Sequence, residues 1–394
     1  MVFEYNIVRD KIQKTPAERS AKMIIRNATV FDGETFSETM DVRLEAGAVR
    51  ESAPELSPGA GEEIIDFGGD YLLPGFVDVH IHAFRGSDTM HGETEVRAMS
   101  RELATFGVAA FCPTTMSASV EDTRSAIAGI RAVMADPEPG GAKVLGAHME
   151  APFLCMAKAG AQRKEFFTLP DFDQLLLLTD GHPEAVRLIT IAPELPGAER
   201  FIRQATEAGI HVSIGHTAAD ADTVHAAASW GADHVTHLFN AQTPLNHRAP
   251  GVPGAALTDD RLVCELICDG IHLHEDIIRL SSRAKGRKAI AITDAMEAAG
   301  MPEGVYQLGG QDVFVKNGAA RLQDGTLAGS ILTMPQALQN LIHRFSIAPA
   351  LACAMTTSAP ADSIGEKRCG RMLPGAPAPL TRWSKAWEMK EIIR

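Results

Sequence analysis

Residues 75–82, with the sequence GFVDVHIH, form an apolar run long enough for one buried β-strand, and the run ends in two histidines. Seven comparable runs follow along the chain, and amphipathic helical stretches separate most of them. Near-continuous apolar strands joined by helical crossovers are typical of a parallel sheet covered by helices. The runs are GFVDVHIH (75–82), VAAFCPTTM (108–116), KVLGAHME (143–150), VRLITIAPE (186–194), HVSIGHT (211–217), HVTHLFN (234–240), VCELICDGIH (263–272) and AIAITDAM (289–296).

Eight strand–helix units in succession predict an α/β protein built on a closed (β/α)8 barrel of the TIM type. An open, doubly wound sheet is the structural alternative. The barrel is favoured because no GxGxxG motif follows the first strand.

The chain on either side of these units has a different rhythm. Residues 23–73 alternate short β runs with Gly, Asp and Pro turns, which predicts part of a small β domain. Residues 74–357 would form the catalytic barrel, and residues 358–394 end in strand-like sequence that could complete the β domain as a small sandwich. Residues 1–22 match no obvious element and are interpreted as an N-terminal extension.

Composition narrows the class of partner. Lys and Arg total 37 against 50 Asp and Glu, a net charge of −13, which argues against nucleic acid and anionic membranes as partners. A small anionic substrate needs only local positive charge and stays possible. The six cysteines show no zinc-ribbon spacing and no apolar run is long enough for a membrane span, so we expect a cytoplasmic protein with reduced cysteines.

Polar residues gather where the predicted strands end. The carboxyl end of a barrel is where active sites lie, so this set predicts one. The other histidines, including His211 and His234 at strand starts, are interpreted as structural or surface residues. The rim set is His80, His82, His148, Glu150, His216, His237, His272 and Asp294.

The types of side chain at this rim predict a metal site. His80 and His82 are two residues apart on a strand, so both imidazoles lie on the inward face. Glu150, His216 and His237 end strands three, five and six, and one carboxylate with two imidazoles leaves a position open for water on a catalytic metal. Asp294 ends strand eight, beside strand one, where it can serve as general base.

Several motifs resemble, in order and spacing, those of the N-acetylglucosamine-6-phosphate deacetylases of the amidohydrolase superfamily. The resemblance extends from about residue 23 to the C-terminus. The motifs are PGFVDVHIH, HMEAPF, SIGHT, THLFNAQTPLNHRAPG, CDGIH, TDAMEAAGM and TLAGSILTM.

The resemblance implies roles for the metal-binding and acid–base residues of the rim. Glu150, His216 and His237 would bind the essential divalent metal, and Asp294 would take a proton from the attacking water and deliver it to the leaving amine. Because His80 and His82 are kept, a second metal bridged by Glu150 is possible. Strand four contains no Lys, which speaks against the hydantoinase and dihydroorotase branches. Zinc, iron and manganese all suit these ligands.

The resemblance also implies substrate contacts. In related enzymes the arginine at position 248 reaches the phosphate in the neighbouring subunit, which implies a homodimer. An arginine fork suits a phosphate group. The substrate positions carried over are Ala161, Gln162, Asn240, Ala241, Arg248, His272, Ala328, Gly329 and Ser330.

Three positions depart from the family pattern. Ala151 stands where Gly is usual beside the metal ligand, and Gln162 stands where some members have His. Pro379 removes a backbone donor from a segment expected to be a strand, so we expect the terminal sheet to be irregular there.

The predicted reaction is metal-dependent removal of the N-acetyl group from N-acetylglucosamine 6-phosphate, an amino sugar phosphate. The same chemistry on the galactosamine epimer is the first alternative. A nucleobase deaminase is a more remote one, which needs no phosphate clamp such as Arg248 with Asn240. A non-catalytic binding protein is a third, and the intact acid–base and metal residues argue against it.

Overall fold

The computed structural model describes residues 22–394. The predicted extension 1–22 lies outside the described residues except for Lys22, which is the first residue of strand β1. Across residues 22–394, none of the helices combines the length and the apolar character needed to cross a membrane.

The first strands of the described chain pair with one another in a single sheet. β1 pairs antiparallel with β2 and parallel with β4 and β5, and β2 pairs with β3. Alternate residues of β1 and β2 are buried in a small core of their own. The strands are β1 (Lys22–Phe31), β2 (Phe36–Glu45), β3 (Ala48–Ala53), β4 (Glu63–Asp66) and β5 (Tyr71–Pro74).

The barrel follows directly. A short hairpin leaves its first strand, and parallel pairing then runs from strand to strand around the ring. The third barrel strand is broken in two at residues 145–146, because Gly146 turns with φ +125° close against the neighbouring strand. The strands are β6 (Phe76–Ile81), hairpin β7 (Ala83–Phe84) and β8 (Ser87–Asp88), β9 (Val108–Thr115), β10 (Lys143–Val144), β11 (Ala147–Met149), β12 (Val186–Ile191), β13 (His211–Ile214), β14 (His234–Val235), β15 (Val263–Ile267) and β16 (Ala289–Ile292).

Helices cover the outside of this ring. Ser119 and Asp220 cap two of them, each accepting a hydrogen bond from a backbone N–H of the first turn. The apolar faces of the helices pack on the strands in the main core. The helices are α1 (Glu93–Ala104), α2 (Val120–Ala135), α3 (Phe172–Leu178), α4 (Ala198–Glu207), α5 (Ala221–Trp230), α6 (Gly251–Thr258) and α7 (Glu275–Lys285).

The ring closes between its last and first strands through both backbone and side-chain hydrogen bonds. Asp294 N donates to His80 O over 2.9 Å. Lower down, the buried Asp78 carboxylate accepts from the Thr293 hydroxyl over 2.6 Å and from the Thr293 N–H over 3.3 Å. Asp78 therefore supplies acceptors where a regular ladder would use backbone carbonyls.

The rest of the chain returns to the first sheet. β20 pairs antiparallel with β5, so both ends of the described chain share one seven-stranded mixed sheet. β20 begins just after Pro379, at Leu380. The barrel with a small β domain from the two chain ends, predicted from the sequence, is confirmed. The elements are β17 (Gly304–Leu308), β18 (Gln311–Lys316), β19 (Ala319–Arg321), α8 (Met334–Gln339), a π-helical turn (Asn340–Arg344), α9 (Pro349–Thr356), α10 (Ser358–Ser363), β20 (Leu380–Trp383) and β21 (Met389–Ile393).

A hydrogen-bonded trio of two histidines and one aspartate lies at the amino end of two barrel strands, opposite the predicted active site. His211 Nδ1 is 2.6 Å from one Asp233 oxygen, and His234 Nδ1 is 2.7 Å from the other. Burial alone would raise the pKa of the Asp233 carboxyl, but the two imidazoles hold it well below its usual range. Burial would lower the pKa of His234, but Asp233 raises it.

The trio predicts a pH-dependent stability difference for Asp233→Asn. The raised His234 pKa contributes stability below about pH 6.5 that is lost as pH rises through the folded value, and the lowered Asp233 pKa contributes stability above about pH 4. We expect the variant to lose about 2 kcal/mol at pH 5.5 and less at pH 8.5. Urea unfolding at both pH values measures this.

The control for that measurement is Asp222→Asn, a change at an exposed carboxylate in the first turn of α5. It should show the same small effect at both pH values. A loss from Asp233→Asn that is larger at pH 8.5 than at pH 5.5 would contradict the assignment.

Candidate metal centre

Glu150 is the centre of the predicted rim. It follows β11 directly and is 2% exposed. Its Oε1 lies 3.1 Å from His216 Nε2 and 3.0 Å from His237 Nε2, and those two nitrogens are 3.1 Å apart. Three ligand atoms so close together can share one cation, whereas protons could satisfy only some of the pairs.

The same carboxylate also faces the other two predicted ligands. His82 Nε2 is 3.3 Å from Glu150 Oε2, and His80 Nε2 is 3.6 Å from Glu150 Oε1. Glu150 thus belongs to two three-residue groups that could each hold a metal ion, one with His216 and His237 and one with His80 and His82.

Two buried imidazole nitrogens without a hydrogen-bond partner within residues 22–394 indicate whether a metal ion would fit at this centre. His80 Nε2 and His237 Nδ1 are buried and have no hydrogen-bond partner among the described residues. His80 Nε2 is 3.6 Å from both Glu150 Oε1 and Asp294 Oδ1, beyond hydrogen-bond reach but on their side of the ring. A buried imidazole nitrogen without a hydrogen-bond partner in the described chain, facing two carboxylates, suits a divalent cation, so the donor set fits.

Asp294 lies beside the His80–His82 pair. Its Oδ1 is 3.2 Å from His82 Nε2. Burial alone would raise the pKa of Asp294, but His80 and His82 hold it below its usual range. The residue is therefore ionised, which is the form that a general base needs.

Electrostatics at the centre favour a cation. Burial alone would lower the pKa of His80, but Asp294, Glu265 and Glu150 raise it to about 9. Burial would likewise lower the pKa of His82, but Asp294 and Glu150 raise it to about 10. Since these carboxylates hold extra protons on the imidazoles, a metal that binds here must displace them.

The backbone turns sharply where three of these residues leave their strands. His216, His237 and Asp294 have φ of 46°, 28° and 49°, in the left-handed region that residues with a Cβ seldom adopt. Such strain persists only where surrounding structure enforces it, and it gathers at functional sites. The conformation aims all three side chains into the mouth of the barrel.

Gln162 is the predicted substrate residue whose side chain contacts the Glu150 carboxylate. Its Nε2 donates to Glu150 Oε2, and its Oε1 accepts from Ser117 N over 2.7 Å. The preceding Ala161 offers its carbonyl to Gln311 Nε2 of β18 over 2.7 Å. The β17–β19 sheet therefore holds the loop that carries Gln162.

The predicted closing loop lies against strand eight. Ser330 N donates to Asp294 O over 2.7 Å, and Ser330 Oγ donates to Thr293 O over 2.6 Å. A Cβ on Gly329 would approach Asp294 O to 3.0 Å, and Ala328 is buried beside β18 and β19. These residues support the Asp294 turn.

The other predicted substrate residues do not contact the metal ligands through their side chains, apart from Asn240. Asn240 Nδ2 donates to His237 O over 3.1 Å, and Ala241 O accepts from Thr217 N over 3.2 Å. His272 Nδ1 is 2.6 Å from Asp269 Oδ2. Arg248 is exposed and makes no hydrogen bond or ion pair within residues 22–394.

Two further buried residues, His148 and Glu265, lie inside the barrel beneath the metal centre. His148, placed at the rim by its strand position, points into the barrel, where its Nε2 is 2.8 Å from Thr190 Oγ1. Burial holds the pKa of His148 well below its usual range. Glu265, which the motifs did not single out, lies 2.9 Å from His80 Nδ1. A glutamate inside the apolar run VCELI was the available signal.

Comparison with known proteins places this geometry in a family. A model of the amidohydrolase family, whose members depend on metal, matches residues 71–392. The chain is 38% identical to an N-acetylglucosamine-6-phosphate deacetylase of Lysinibacillus sphaericus over 81% of this chain and 82% of the relative. It is 34% identical to an N-acetylgalactosamine-6-phosphate deacetylase of Escherichia coli O157:H7, over 82% and 86%.

A solved structure agrees with these relatives. A mutant N-acetyl-D-glucosamine-6-phosphate deacetylase of Mycobacterium smegmatis, in complex with N-acetyl-D-glucosamine-6-phosphate, is similar with a TM-score of 0.87. The identity is 29%, over 95% of this chain and 98% of that one.

Proposed function

The chain belongs to the amidohydrolase family, and we propose that it is a deacetylase that hydrolyses N-acetylglucosamine 6-phosphate to glucosamine 6-phosphate and acetate. The observation that carries the proposal is the Glu150 carboxylate, shared by two histidine pairs with Asp294 beside them. The relatives at 38% and 34% identity remove the same acetyl group from epimeric sugar phosphates, according to their names.

Glu150, His216 and His237 would hold the essential divalent cation, and His80 and His82 with Glu150 would hold a second. Zinc, iron and manganese suit these donors equally. Since there are two such groups of ligands, we propose one or two ions per chain. When bound, the ion would polarise the amide carbonyl and make a water more acidic.

Asp294 would move the proton. As an ionised carboxylate it takes one proton from the attacking water, and the water oxygen forms a bond to the acetyl carbon. The protonated Asp294 then gives that proton to the amide nitrogen as the carbon–nitrogen bond breaks. One group thus serves as base and acid in successive steps.

Acetate release is the direct test of this function. The purified protein, with its metal content measured, is assayed on the two phosphorylated epimers and on N-acetylglucosamine. Acetate from N-acetylglucosamine 6-phosphate at a higher kcat/KM than from either comparison substrate supports the proposal. Absence of acetate from both phosphorylated sugars in metal-replete protein would overturn it.

The galactosamine epimer is the second candidate substrate. The relative from Escherichia coli O157:H7, which is named for that epimer, is 34% identical to this chain, close to the 38% of the relative named for the glucosamine sugar. Since the two sugars differ at one hydroxyl, the ratio of the two kcat/KM values decides between them.

Arg248 would bind the 6-phosphate. Its unpaired, exposed guanidinium lies in the loop between β14 and α6, beyond His237. A charge-assisted hydrogen bond contributes about 1.5–3 kcal/mol, so Arg248→Ala should lose on the order of 10- to 100-fold in kcat/KM on the phosphorylated sugar. The loss on unphosphorylated N-acetylglucosamine should be close to none. Equal losses on both would assign Arg248 to the fold instead.

The remaining substrate contacts are proposed in support of Arg248. Neutral donors and small residues would surround the sugar and its acetyl group. They are Ala161, Gln162, Asn240, Ala241, His272, Ala328, Gly329 and Ser330.

We further propose a cytoplasmic homodimer in which Arg248 serves the partner's site. The exposure of Arg248 supports this, and the six cysteines are unpaired within the described chain. Mixed dimers of Arg248→Ala and Asp294→Asn subunits would then keep one intact site of two. Activity restored on mixing the two variants is the expected result.

A further inference from the structure

Glu265 is an unexplained carboxylate inside the barrel. It lies on β15 and is fully buried. Its Oε1 has no hydrogen-bond partner among residues 22–394. A carboxylate in such a position costs stability, so an apolar residue would serve packing better.

The other oxygen of Glu265 makes two contacts. Oε2 lies 2.9 Å from His80 Nδ1 and accepts from the His237 backbone N–H over 3.1 Å. The first contact reaches the His80–His82 pair, and the second reaches the His216–His237 pair. A single buried atom therefore touches both halves of the candidate centre.

The contact with His80 decides where that imidazole carries its proton. A carboxylate can only accept, so Nδ1 must be the protonated nitrogen. In the neutral imidazole, the form that ligates a metal, Nε2 then carries the lone pair, on the side facing Glu150 and Asp294. A carboxylate behind a ligating imidazole fixes both the tautomer and the ring orientation.

The contact with His237 holds a strained strand end. His237 has φ 28°, and its N–H would otherwise be a buried donor in need of an acceptor. Glu265 O also accepts from Leu238 N over 2.8 Å, so β15 fixes this turn at two points. The Nε2 of His237 is thereby kept 3.0 Å from Glu150 Oε1.

We propose that Glu265 is a positioning residue for metal binding. It orients the His80 imidazole through Nδ1 and holds the His237 backbone, so that both histidines are placed to ligate the metal. The proposal rests on the proposed function only in taking the centre to be a metal site. It does not require any particular substrate.

The test compares Glu265→Gln and Glu265→Leu with Thr190→Val. Thr190 is also fully buried in the barrel, and its hydroxyl contacts His148 and Thr236 but none of the metal ligands. Metal-free proteins are titrated with Co²⁺, and the bound ion is followed by its visible absorption and by metal analysis. Thermal unfolding of the metal-free proteins is measured in parallel.

We expect Glu265→Gln to weaken cobalt binding about 10- to 100-fold, with an altered absorption band. Glu265→Leu should weaken it further, because it keeps no acceptor for His80 or His237. Thr190→Val should bind cobalt as the wild type does. The metal-free Glu265→Gln protein should unfold close to the wild-type temperature, because Gln keeps an acceptor oxygen for the His237 N–H. The metal-free Glu265→Leu protein should unfold below it, because His80 Nδ1 and the His237 N–H lose their acceptor.

Wild-type cobalt affinity and absorption in both Glu265 variants would overturn the proposal. So would a loss of affinity equal to that of Thr190→Val, which would indicate general damage to the interior. Cobalt binding is measured without substrate, so a failed deacetylase assay leaves this result standing, and the two failures are distinguishable.

Discussion

Replacing Asp294 by asparagine should lower kcat by about 10³–10⁴-fold while the protein keeps its metal. General acid–base catalysis is worth about 10²–10⁴-fold, and here one carboxylate serves both proton transfers. The amide of asparagine is nearly the same size, and Asp294 lies 3.2 Å from His82 without belonging to either three-residue metal group. The structure of the centre should therefore survive the change.

Steady-state assays and metal analysis on the same preparation measure this effect. The matched control is the Asp222→Asn protein, which is altered at an exposed carboxylate outside the metal centre. It should be fully active. Near-normal turnover of the Asp294→Asn protein would remove this residue from the mechanism. A loss of metal in step with activity would make it a ligand.

Replacing Glu150 by glutamine should remove metal from both groups and abolish turnover. The carboxylate is the only member that the two groups share, and an amide is a far poorer ligand for zinc, iron or manganese. With neither ion held, the carbonyl is no longer polarised and hydrolysis should fall to the level of the blank. Metal per chain and acetate release together give the result.

Histidine variants then rank the two groups. Replacing His80 and His82 together should lower metal content to about one per chain, if Glu150, His216 and His237 form the tighter group. It should slow hydrolysis less than His237→Ala does. A His80/His82 double variant that binds no metal would show that these histidines form the tighter group. A Glu150→Gln protein that keeps its full metal content would show that Glu150 is not a ligand shared by the two groups.

Much of the barrel could be predicted because its signals are local. Apolar runs fix the strands, and the residue at the end of each run falls at the rim whatever the rest of the chain does. The ligand residues were therefore predictable by position, and the structure brings Glu150, His216, His237, His80, His82 and Asp294 together.

Other features depend on distant contacts. Helix α6 has the sequence GVPGAALT, whose glycines and proline argue against a helix, and burial against neighbouring elements overrides that preference. Helix α3 contains four consecutive leucines, so its sequence shows no polar face. His148 and Glu265 lie deep in the barrel, and depth depends on how the strands tilt, which no spacing reveals.

The sheet shared by the two chain ends has a consequence for synthesis on the ribosome. Arg382 of β20 donates to Asp70, just before β5, across 312 residues of sequence. At about 5–20 residues per second, the edge of β5 waits roughly 15–60 s for its partner strand to be made. Over that interval a nascent chain exposes an unpaired strand edge, the feature through which polypeptides associate. Chains that stop short of β20 keep that edge permanently, and we expect them to aggregate even when all barrel strands are present.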